Sequence, residues 1–180
     1  MTGWMTTGRM TGAVPLHLPD LPPDVQFAAL PRDERAFAYT FDVKRAAMRP
    51  YIEARWGWDE ALQKRLHRER FEEKPFTRIG WRERAVGTVS LMRLDTYIRF
   101  GEFYLTQEFQ RLGLGSRILR HCLQLGDATS LPVRLEYLKW NPVGSLYRRH
   151  GFVVTGETDI HWLMERPPSD ASRFAFDRHV

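Results

Sequence analysis

Two glycines in the stretch QEFQRLGLGS, residues 107–116, have a spacing that suits the binding of a phosphate group. The hydrophobic pattern predicts a buried strand before this stretch and an amphipathic helix after it. The first turn of a helix has unpaired backbone N–H groups and the positive end of the helix dipole, and glycine lets a ligand approach that backbone closely. We therefore expect Gly113 and Gly115 either to bind a phosphate or to form a tight connection without a ligand.

Two common nucleotide-binding motifs do not account for this turn. A phosphate loop of the G-x-x-x-x-G-K-[ST] type is excluded because no lysine follows the glycines. The dinucleotide motif G-x-G-x-x-G is weak, because Ile118 occupies the position of the third glycine and the turn follows a predicted meander of strands. A phosphate at this turn would belong to another kind of ligand.

A second motif lies downstream, in the stretch NPVGSLYRRHGF, residues 141–152. Together the two stretches resemble the GCN5-related N-acetyltransferase (GNAT) family. Residues 110–115 match that family's Q/R-x-x-G-x-G/A motif, and residues 141–152 match its N-x-x-A-x-x-L-Y-x-x-x-G-F segment, with Gly144 in place of the usual alanine. The order of the predicted elements agrees as well, so the resemblance covers roughly residues 23–166.

The resemblance implies that the chain uses acetyl-CoA as co-substrate and needs no metal. The glycine turn would hold the pyrophosphate of coenzyme A, and the end of the preceding strand would hydrogen-bond the pantetheine arm like an added strand. The thioester would lie where the family's sheet splays between that strand and the strand at 133–138. The residues implied to contact coenzyme A are Leu105, Thr106, Gln110, Arg111, Leu112, Gly113, Leu114, Gly115, Ser116 and Asn141.

The implied reaction is direct attack of an acceptor amine on the thioester, without an acyl-enzyme. A lysine-like amine has a pKa of about 10.4 and is protonated at neutral pH, so a base must remove its proton. Glu102 is the predicted base, because strand alternation puts an otherwise costly carboxylate in a central strand; Glu136 and His161 are the alternatives. Tyr147 is implied as the acid for the leaving thiolate, although its place on an apolar helix stripe also suits a core residue.

The stretch RWGWDE, residues 55–60, connects the first two predicted helices. The resemblance implies that this region shapes the acceptor pocket, so Trp56, Trp58 and, on a late strand, His161 are predicted to contact the substrate. The two tryptophans would form an aromatic wall for an amine or pack the two helices together, and the sequence leaves both open. Cys122 lies on a buried helical face and is interpreted as a core residue.

The elements that position these residues follow from periodicity and capping signals. Strands are predicted near 25–30, 77–81, 85–94, 97–105, 133–138, 152–156 and 161–164. Helices are predicted over about 31–48, from 59 onward, from the glycine turn to about 125, and from 142 to 150. Pro50 is expected to end the first helix, Leu62 and Leu66 to form the apolar stripe of the second, and Gly126 to end the third. The pattern predicts an α/β (α+β) fold, a layered α/β/α domain with a central mixed, mostly antiparallel sheet of six to seven strands.

The composition of the 180 residues, 43% apolar and 27% charged, predicts one domain with a real core. No stretch approaches the roughly 18–20 apolar residues of a membrane span, and a single cysteine is typical of a reducing cytoplasm, so we expect a cytoplasmic protein. The net charge of +5 suits a solvated surface or an anion site, and no long basic run indicates nucleic acid. Residues 1–22 are predicted as a flexible N-terminal tail, 23–166 as the acyltransferase domain and 167–180 as a C-terminal tail.

The expected activity is transfer of an acetyl group from acetyl-CoA to a primary amine of a small molecule or a protein. The alternative is a catalytically silent acyl-CoA-binding sensor or interaction module of the same fold. The chain is expected to act as a monomer or homodimer, with no nucleic-acid or membrane partner.

Overall fold

A computed structural model describes residues 12–169, and its elements alternate between strands and helices. The strands are β1 (Val14–Pro15), β2 (Val25–Ala29), β3 (Thr77–Trp81), β4 (Arg84–Arg93), β5 (Ile98–Leu105), β6 (Val133–Leu138), β7 (Val153–Glu157) and β8 (His161–Arg166). The helices are α1 (Glu34–Trp56), α2 (Glu60–Glu73), α3 (Leu114–Thr129) and α4 (Gly144–Arg149), with a short 3-10 turn at Gln107–Phe109.

The strands form one mixed sheet in the order β2-β3-β4-β5-β6-β8-β7, and β1 pairs with the far end of β4. Strands β2 to β5 form an antiparallel meander, while β5 and β6 are parallel neighbours because α3 connects them. The remaining pairs, β6–β8 and β8–β7, are antiparallel. The predicted fold class, a mixed and mostly antiparallel sheet covered by helices, is confirmed.

Helix α1 begins where the sequence predicts, but it does not end at Pro50. Asp33 caps the helix, its side chain accepting a hydrogen bond from the Ala36 N–H at 2.7 Å. The helix continues through the exposed Pro50 to Trp56. Tertiary contacts stabilise these last turns: Ile52 is buried, and the Trp140 indole N–H donates to the Tyr51 carbonyl at 2.9 Å. These contacts offset the hydrogen bond that a proline removes from a helix interior.

Helix α2 begins at the predicted cap, Asp59, but buries a different face. Leu62 and Leu66 are 36% and 37% exposed, whereas Gln63, His67 and Phe71 are buried. The inner face is partly polar because α2 packs on polar side chains of α1; His67 Nε2 and Thr40 Oγ1, for example, are 2.9 Å apart. The expected leucine stripe was therefore wrong.

Helix α3 continues past Gly126, which was expected to end it. Gly126 is buried against the sheet, and a Cβ at this position would lie 2.7 Å from Cγ2 of Val133. The glycine therefore serves close packing of α3 on β6, and the helix ends at Ser130, which adopts a left-handed conformation with φ of 54°.

The predicted N-terminal tail differs from the structure over its described part. Residues 1–11 lie outside the described residues, but Val14 and Pro15 pair with β4, and Leu18 is only 2% exposed. Burial of a leucine against the core fixes this segment on the sheet. At the other end, Arg166 and the Ser169 N–H both bind Asp127, and residues 170–180 of the predicted C-terminal tail lie outside the described residues.

Candidate active site

A bulge in β5 opens the middle of the sheet. The register with β4 shifts from Ser90↔Gly101 to Thr88↔Tyr104, so β5 has one extra residue, and Glu102 adopts a positive φ of 47°. The Thr88 hydroxyl donates to the Glu102 carbonyl at 2.9 Å and fixes the distortion. Beyond it, β5 leaves β6.

Strands β5 and β6 pair only at Ile98↔Val133 and Arg99↔Arg134. The splay that the sequence resemblance implied is therefore present. A cavity of about 230 Å³ lies in the gap, with α1 and α2 on one side and α4 at its end. Its lining includes five residues predicted for the site: Trp56, Glu102, Asn141, Tyr147 and His161.

The glycine turn before α3 has an unusual backbone conformation. Arg111 and Gly113 have φ values of 60° and 79°, and Gly113 caps the helix without a side-chain hydrogen bond. The Gln110 side chain donates to the Leu105 carbonyl at 2.7 Å, so it stabilises the turn instead of projecting from it. Because the first N–H groups of a helix have no intrahelical partner, those of residues 114–116 are available to an anion.

The neighbours of the glycine turn connect it to the gap in the sheet. Gly115 lies close to Phe103, Leu105 and Leu146, each within 4.0 Å of where a Cβ would be. Leu112 and Arg111 are exposed at the rim, whereas Leu114 is 4% exposed and packs in the core, so any contact from Leu114 to a ligand would be through its backbone.

The end of β5 presents one of its two predicted residues to the gap. The Thr106 N–H donates to the Val86 carbonyl at 3.0 Å, so Thr106 faces β4 and not the gap. Neighbouring residues of a strand direct their N–H and C=O groups to opposite edges, so Leu105 faces β6. Leu105 is therefore positioned for the expected main-chain contact through its N–H, since its carbonyl accepts from Gln110, and Thr106 is not.

Tyr147 lies at the end of the cavity, 6% exposed, among the rings of Phe100, Tyr137 and Phe152, whose centroids are 5.7–6.4 Å away. Burial raises the pKa of its hydroxyl well above the ordinary value, so the group keeps its proton at neutral pH. Both sequence interpretations describe this residue, because it belongs to the core and also lines the cavity.

Glu102 lies in the cavity as predicted, but it is already paired. Lys74 Nζ is 2.6 Å from its Oε1, and the Tyr104 hydroxyl donates to its Oε2 at 3.1 Å. Burial would raise the pKa of Glu102, but the charges of Lys74 and Arg70 outweigh burial and hold it well below the ordinary value. A carboxylate paired in this way is a weak base, and the role expected for Glu102 from the strand pattern stays a prediction.

His161 lines the same cavity from β8 and is 7% exposed. Burial lowers the pKa of its imidazole, and the nearby Glu136 carboxylate opposes this effect, so the ring is neutral at pH 7. The Thr158 hydroxyl lies 3.5 Å from Nδ1 and also accepts from the His161 N–H. Glu136 itself pairs with Arg99 at 3.4 Å.

The sequence analysis missed a cationic cluster formed by Lys44 of α1, Arg70 of α2 and Lys74 just after α2. All three line the cavity. The Lys44 side chain is 3% exposed, and its ammonium makes no hydrogen bond or ion pair with any of residues 12–169. Burial, with Arg70 and Lys74 nearby, lowers the pKa of Lys44 to about 8. No local pattern marks such a lysine, because its burial depends on the packing of α1 over β5.

The sequence left two roles open for the tryptophans, and each of the two residues has one of them. Trp56 lines the cavity and packs edge-on against Trp140 with centroids 4.8 Å apart. Trp58 is outside the lining; its indole N–H donates to Glu60 at 2.7 Å and its ring lies under Arg49. Trp58 therefore connects α1 to α2, and the structure does not bring it to the cavity.

Two contacts at the start of α4 explain why Asn141 and Gly144 occur in the family-like segment. The Asn141 side-chain oxygen accepts from the Val143 N–H at 3.0 Å and fixes the turn, while its amide lies 3.7 Å from the Met48 sulfur. Gly144 is required because a Cβ there would overlap the phenol ring of Tyr137. The departure from the usual alanine is therefore compensated by a bulky residue on β6.

Comparison with known proteins agrees with this geometry. Residues 76–154, from the start of β3 into β7, match the family model described as an acetyltransferase (GNAT) domain. The chain contains a GNAT acetyltransferase domain. The family recognised from the two motifs, and the enzyme class it implied, are confirmed. No curated protein sequence matches the chain significantly.

Several solved structures share the fold of the GNAT domain. The PaiA N-acetyltransferase of Thermoplasma acidophilum, solved with coenzyme A, has a TM-score of 0.65 at 16% identity, covering 81% of this chain and 99% of that one. The ribosomal-protein-S18-alanine N-acetyltransferase of Escherichia coli has a TM-score of 0.58 at 16% identity, covering 82% and 96%. Ard1 of Thermoplasma volcanium has a TM-score of 0.56 at 20% identity, covering 82% and 100%.

Two features are absent from the described residues. Between residues 12 and 169, no three His, Cys, Asp or Glu side chains are grouped so that they could hold a metal ion. In the same range no helix has the length and apolarity needed to cross a membrane.

Proposed function

We propose that this GNAT protein transfers the acetyl group of acetyl-CoA to a primary amine of a small molecule or protein, by direct attack and without an acyl-enzyme. The observation that carries the proposal is the cavity between β5 and β6. Phe103, which packs beside Gly115 of the glycine turn, lines it, and so do a protonated tyrosine and a neutral histidine. A donor anchored at the turn would present its thioester to both groups.

Coenzyme A would bind with its pyrophosphate at the start of α3. The free N–H groups of the first turn and the helix dipole favour an anion there, and the positive φ of Gly113 turns the backbone toward it. Arg111, exposed at the rim, supplies a mobile positive charge. The pantetheine arm would continue along the edge of β5 at Leu105 and pass Asn141, which lines the gap.

Direct attack is supported by the state of Cys122. Its side chain is fully buried in α3, and burial raises the pKa of the thiol to about 12, so it stays protonated and inaccessible. It cannot accept the acetyl group as a thiolate.

Tyr147 is the proposed acid for the departing thiolate. Its hydroxyl keeps a proton at neutral pH because it is buried, and the rings around it fix its position at the end of the cavity. The amine that attacks on the other side of the thioester loses its proton to a base, directly or through water.

His161 is the base that we favour over Glu102. Its lowered pKa leaves it neutral and able to accept a proton at pH 7, whereas Glu102 is ionised and held by Lys74. Glu102 then serves to neutralise part of the positive charge around the cavity.

The proposal is tested by replacing Tyr147 with Phe and measuring thiol release from acetyl-CoA over a panel of amines. We expect turnover to fall about 100-fold, within the range for loss of an acid catalyst, with little change in acetyl-CoA affinity. Tyr137→Phe is the matched control, because it removes a neighbouring tyrosine hydroxyl that accepts a hydrogen bond from Arg148. A fully active Tyr147→Phe enzyme excludes the acid role, and tight acetyl-CoA binding without turnover on any amine supports the sensor alternative.

A further inference from the structure

The cavity is lined by more positive than negative charge. Four cationic side chains line it, Lys44, Arg70, Lys74 and Arg99, against two carboxylates. Lys74 pairs with Glu102, and Arg99 pairs with Glu136. Lys44 and Arg70 form no ion pair with a carboxylate among residues 12–169, and Glu102, which attracts both at longer range, is already paired with Lys74.

The protonation states of nearby groups do not remove this surplus of positive charge. Glu102 is ionised, and it is shared by Lys74 and the more distant Arg70. His67, beneath Lys44, has its pKa lowered to about 4 by burial and is neutral, so it neither adds to nor balances the charge.

An uncompensated buried cation is costly, and its ordinary partner is an anion. Lys44 has room for one, because the cavity lies directly beside it. The cationic cluster comes from α1, α2 and the residue just after α2, and the cavity that it lines includes none of residues 105–116, where the phosphates of coenzyme A are proposed to bind. The anion is therefore a different group from the donor's phosphates.

We propose that the cationic cluster binds an anionic group, a carboxylate or a phosphate, carried by the acceptor amine. The acceptor is then an amine with a negative charge near its nucleophile, and polyamines or other purely cationic amines are disfavoured. This inference rests on the proposed function for the transfer step and adds the class of its acceptor. Lys44 is a specificity-determining residue in this scheme.

The first experiment measures kcat/KM with paired amines that differ only in charge: aminoethyl phosphate against ethanolamine, and β-alanine against its amide. We expect the anionic member of each pair to be preferred by at least about tenfold, as suits a charged group that meets an unpaired partner. Lys44→Met should remove that preference, read as the ratio of the two kcat/KM values within each pair, whatever its effect on the absolute rates. The matched control Lys64→Met, on the exposed face of α2, should keep it.

A second arm distinguishes the two possible sources of the anion. If the cluster instead binds a carboxylate on the acyl group, succinyl-CoA will be preferred over acetyl-CoA with ethanolamine as acceptor, and Lys44→Met will abolish that preference. That result would overturn the assignment to the acceptor. Equal or better use of ethanolamine and spermidine than of aminoethyl phosphate would overturn it as well.

A third measurement does not depend on turnover. Binding of inorganic phosphate is measured by calorimetry with coenzyme A saturating, so that the α3 turn is occupied, for the wild type and Lys44→Met. We expect about tenfold weaker phosphate binding in the variant, and equal binding would overturn the inference. Failure of the proposed function is seen separately, as tight binding of coenzyme A without turnover on any amine. The difference in phosphate binding between wild type and Lys44→Met still tests the anion site in that case.

Discussion

The candidate site has two sides that are built from different parts of the chain. The α3 side is the glycine turn, which consists mainly of backbone from one continuous stretch, residues 105–116, held by the Gln110 contact to Leu105. The acceptor side is the cavity, which is lined by charged side chains from α1, the end of α2 and β5, where Lys74 and Glu102 meet across 28 positions of sequence. One side needs glycines in a local turn, and the other needs three elements to pack together.

The two sides therefore differ in the substitutions that they tolerate. A backbone site depends on φ values that only glycine adopts without strain, so it is sensitive to single residues within the motif. A site of buried charges depends on the balance of positive and negative groups. Removing one member of an ion pair leaves the other charge buried without a partner, which is strongly destabilising. Each substitution predicted below changes one side only, and we expect its effect to stay on that side.

The largest effect is expected from Glu102→Gln. It removes the carboxylate from between Lys74 and Arg70, and we expect a loss of about 3–5 kcal/mol in the free energy of unfolding at pH 7. The pKa of Glu102 is lower folded than unfolded, so its stabilisation is complete above pH 4.5 and decreases as pH falls; the difference from wild type should therefore shrink in acid. Urea unfolding at several pH values measures it.

The control for this prediction is Glu108→Gln. Glu108 pairs with Arg84 at 2.8 Å, but both side chains are more than half exposed, so its loss should change stability by less than about 1 kcal/mol. If Glu102→Gln is equally mild, the buried pair does not hold the acceptor side together.

The next effect concerns the α3 side. Gly113→Val places a branched side chain at a φ of 79° where the pyrophosphate is proposed to lie, and we expect acetyl-CoA affinity to fall about 100-fold, or about 2.7 kcal/mol. Gly57→Val is the matched control, since Gly57 has a φ of 76° and open space around it but lies outside the turn. Calorimetry should show normal affinity for the control; normal affinity for Gly113→Val would mean that the phosphate binds elsewhere.

The smallest effect has the opposite sign. Lys44→Met removes a buried charge without a partner, and we expect the variant to be more stable than wild type by about 1–3 kcal/mol at pH 7, in a buffer without polyvalent anions. Between pH 8 and 10.5 the unfolded chain binds a proton that folded Lys44 has lost, so wild-type stability rises with pH relative to the variant and the gap closes. Chemical unfolding at pH 7 and 9.5 tests this, and a less stable variant at pH 7 would contradict it.

The sequence predicted most of the strands because alternation and turn signals are local. It predicted the starts of α1 and α2 for the same reason, since Asp33 and Asp59 cap them within three residues. It was wrong about Pro50 and Gly126, where long-range packing against Trp140 and Val133 outweighs a local breaker signal. It was also wrong about which face of α2 is buried. The prediction followed the spacing of the leucines, whereas the buried face is partly polar.

For the candidate site, the motif positions were predicted, and the state of the charged groups was not. Whether Glu102 acts as a base depends on Lys74, and whether Trp58 reaches the cavity depends on Glu60 and Arg49, none of which a motif specifies. The cytoplasmic location, the oligomeric state as monomer or homodimer, and the absence of a nucleic-acid partner stay predictions.

The sequence by itself determined the family, the meander, the glycine turn and the segment around Tyr147, because each is encoded by neighbouring residues whose spacing fixes local backbone geometry. Only the tertiary structure decided that Gly144 faces Tyr137, that the charged Glu102 pairs with Lys74 and that Lys44 is buried beside the cavity without an ion pair. The physical reason is that burial and electrostatic balance are properties of packed elements. A charge acquires its pKa and its role from neighbours that the chain brings together only when it folds.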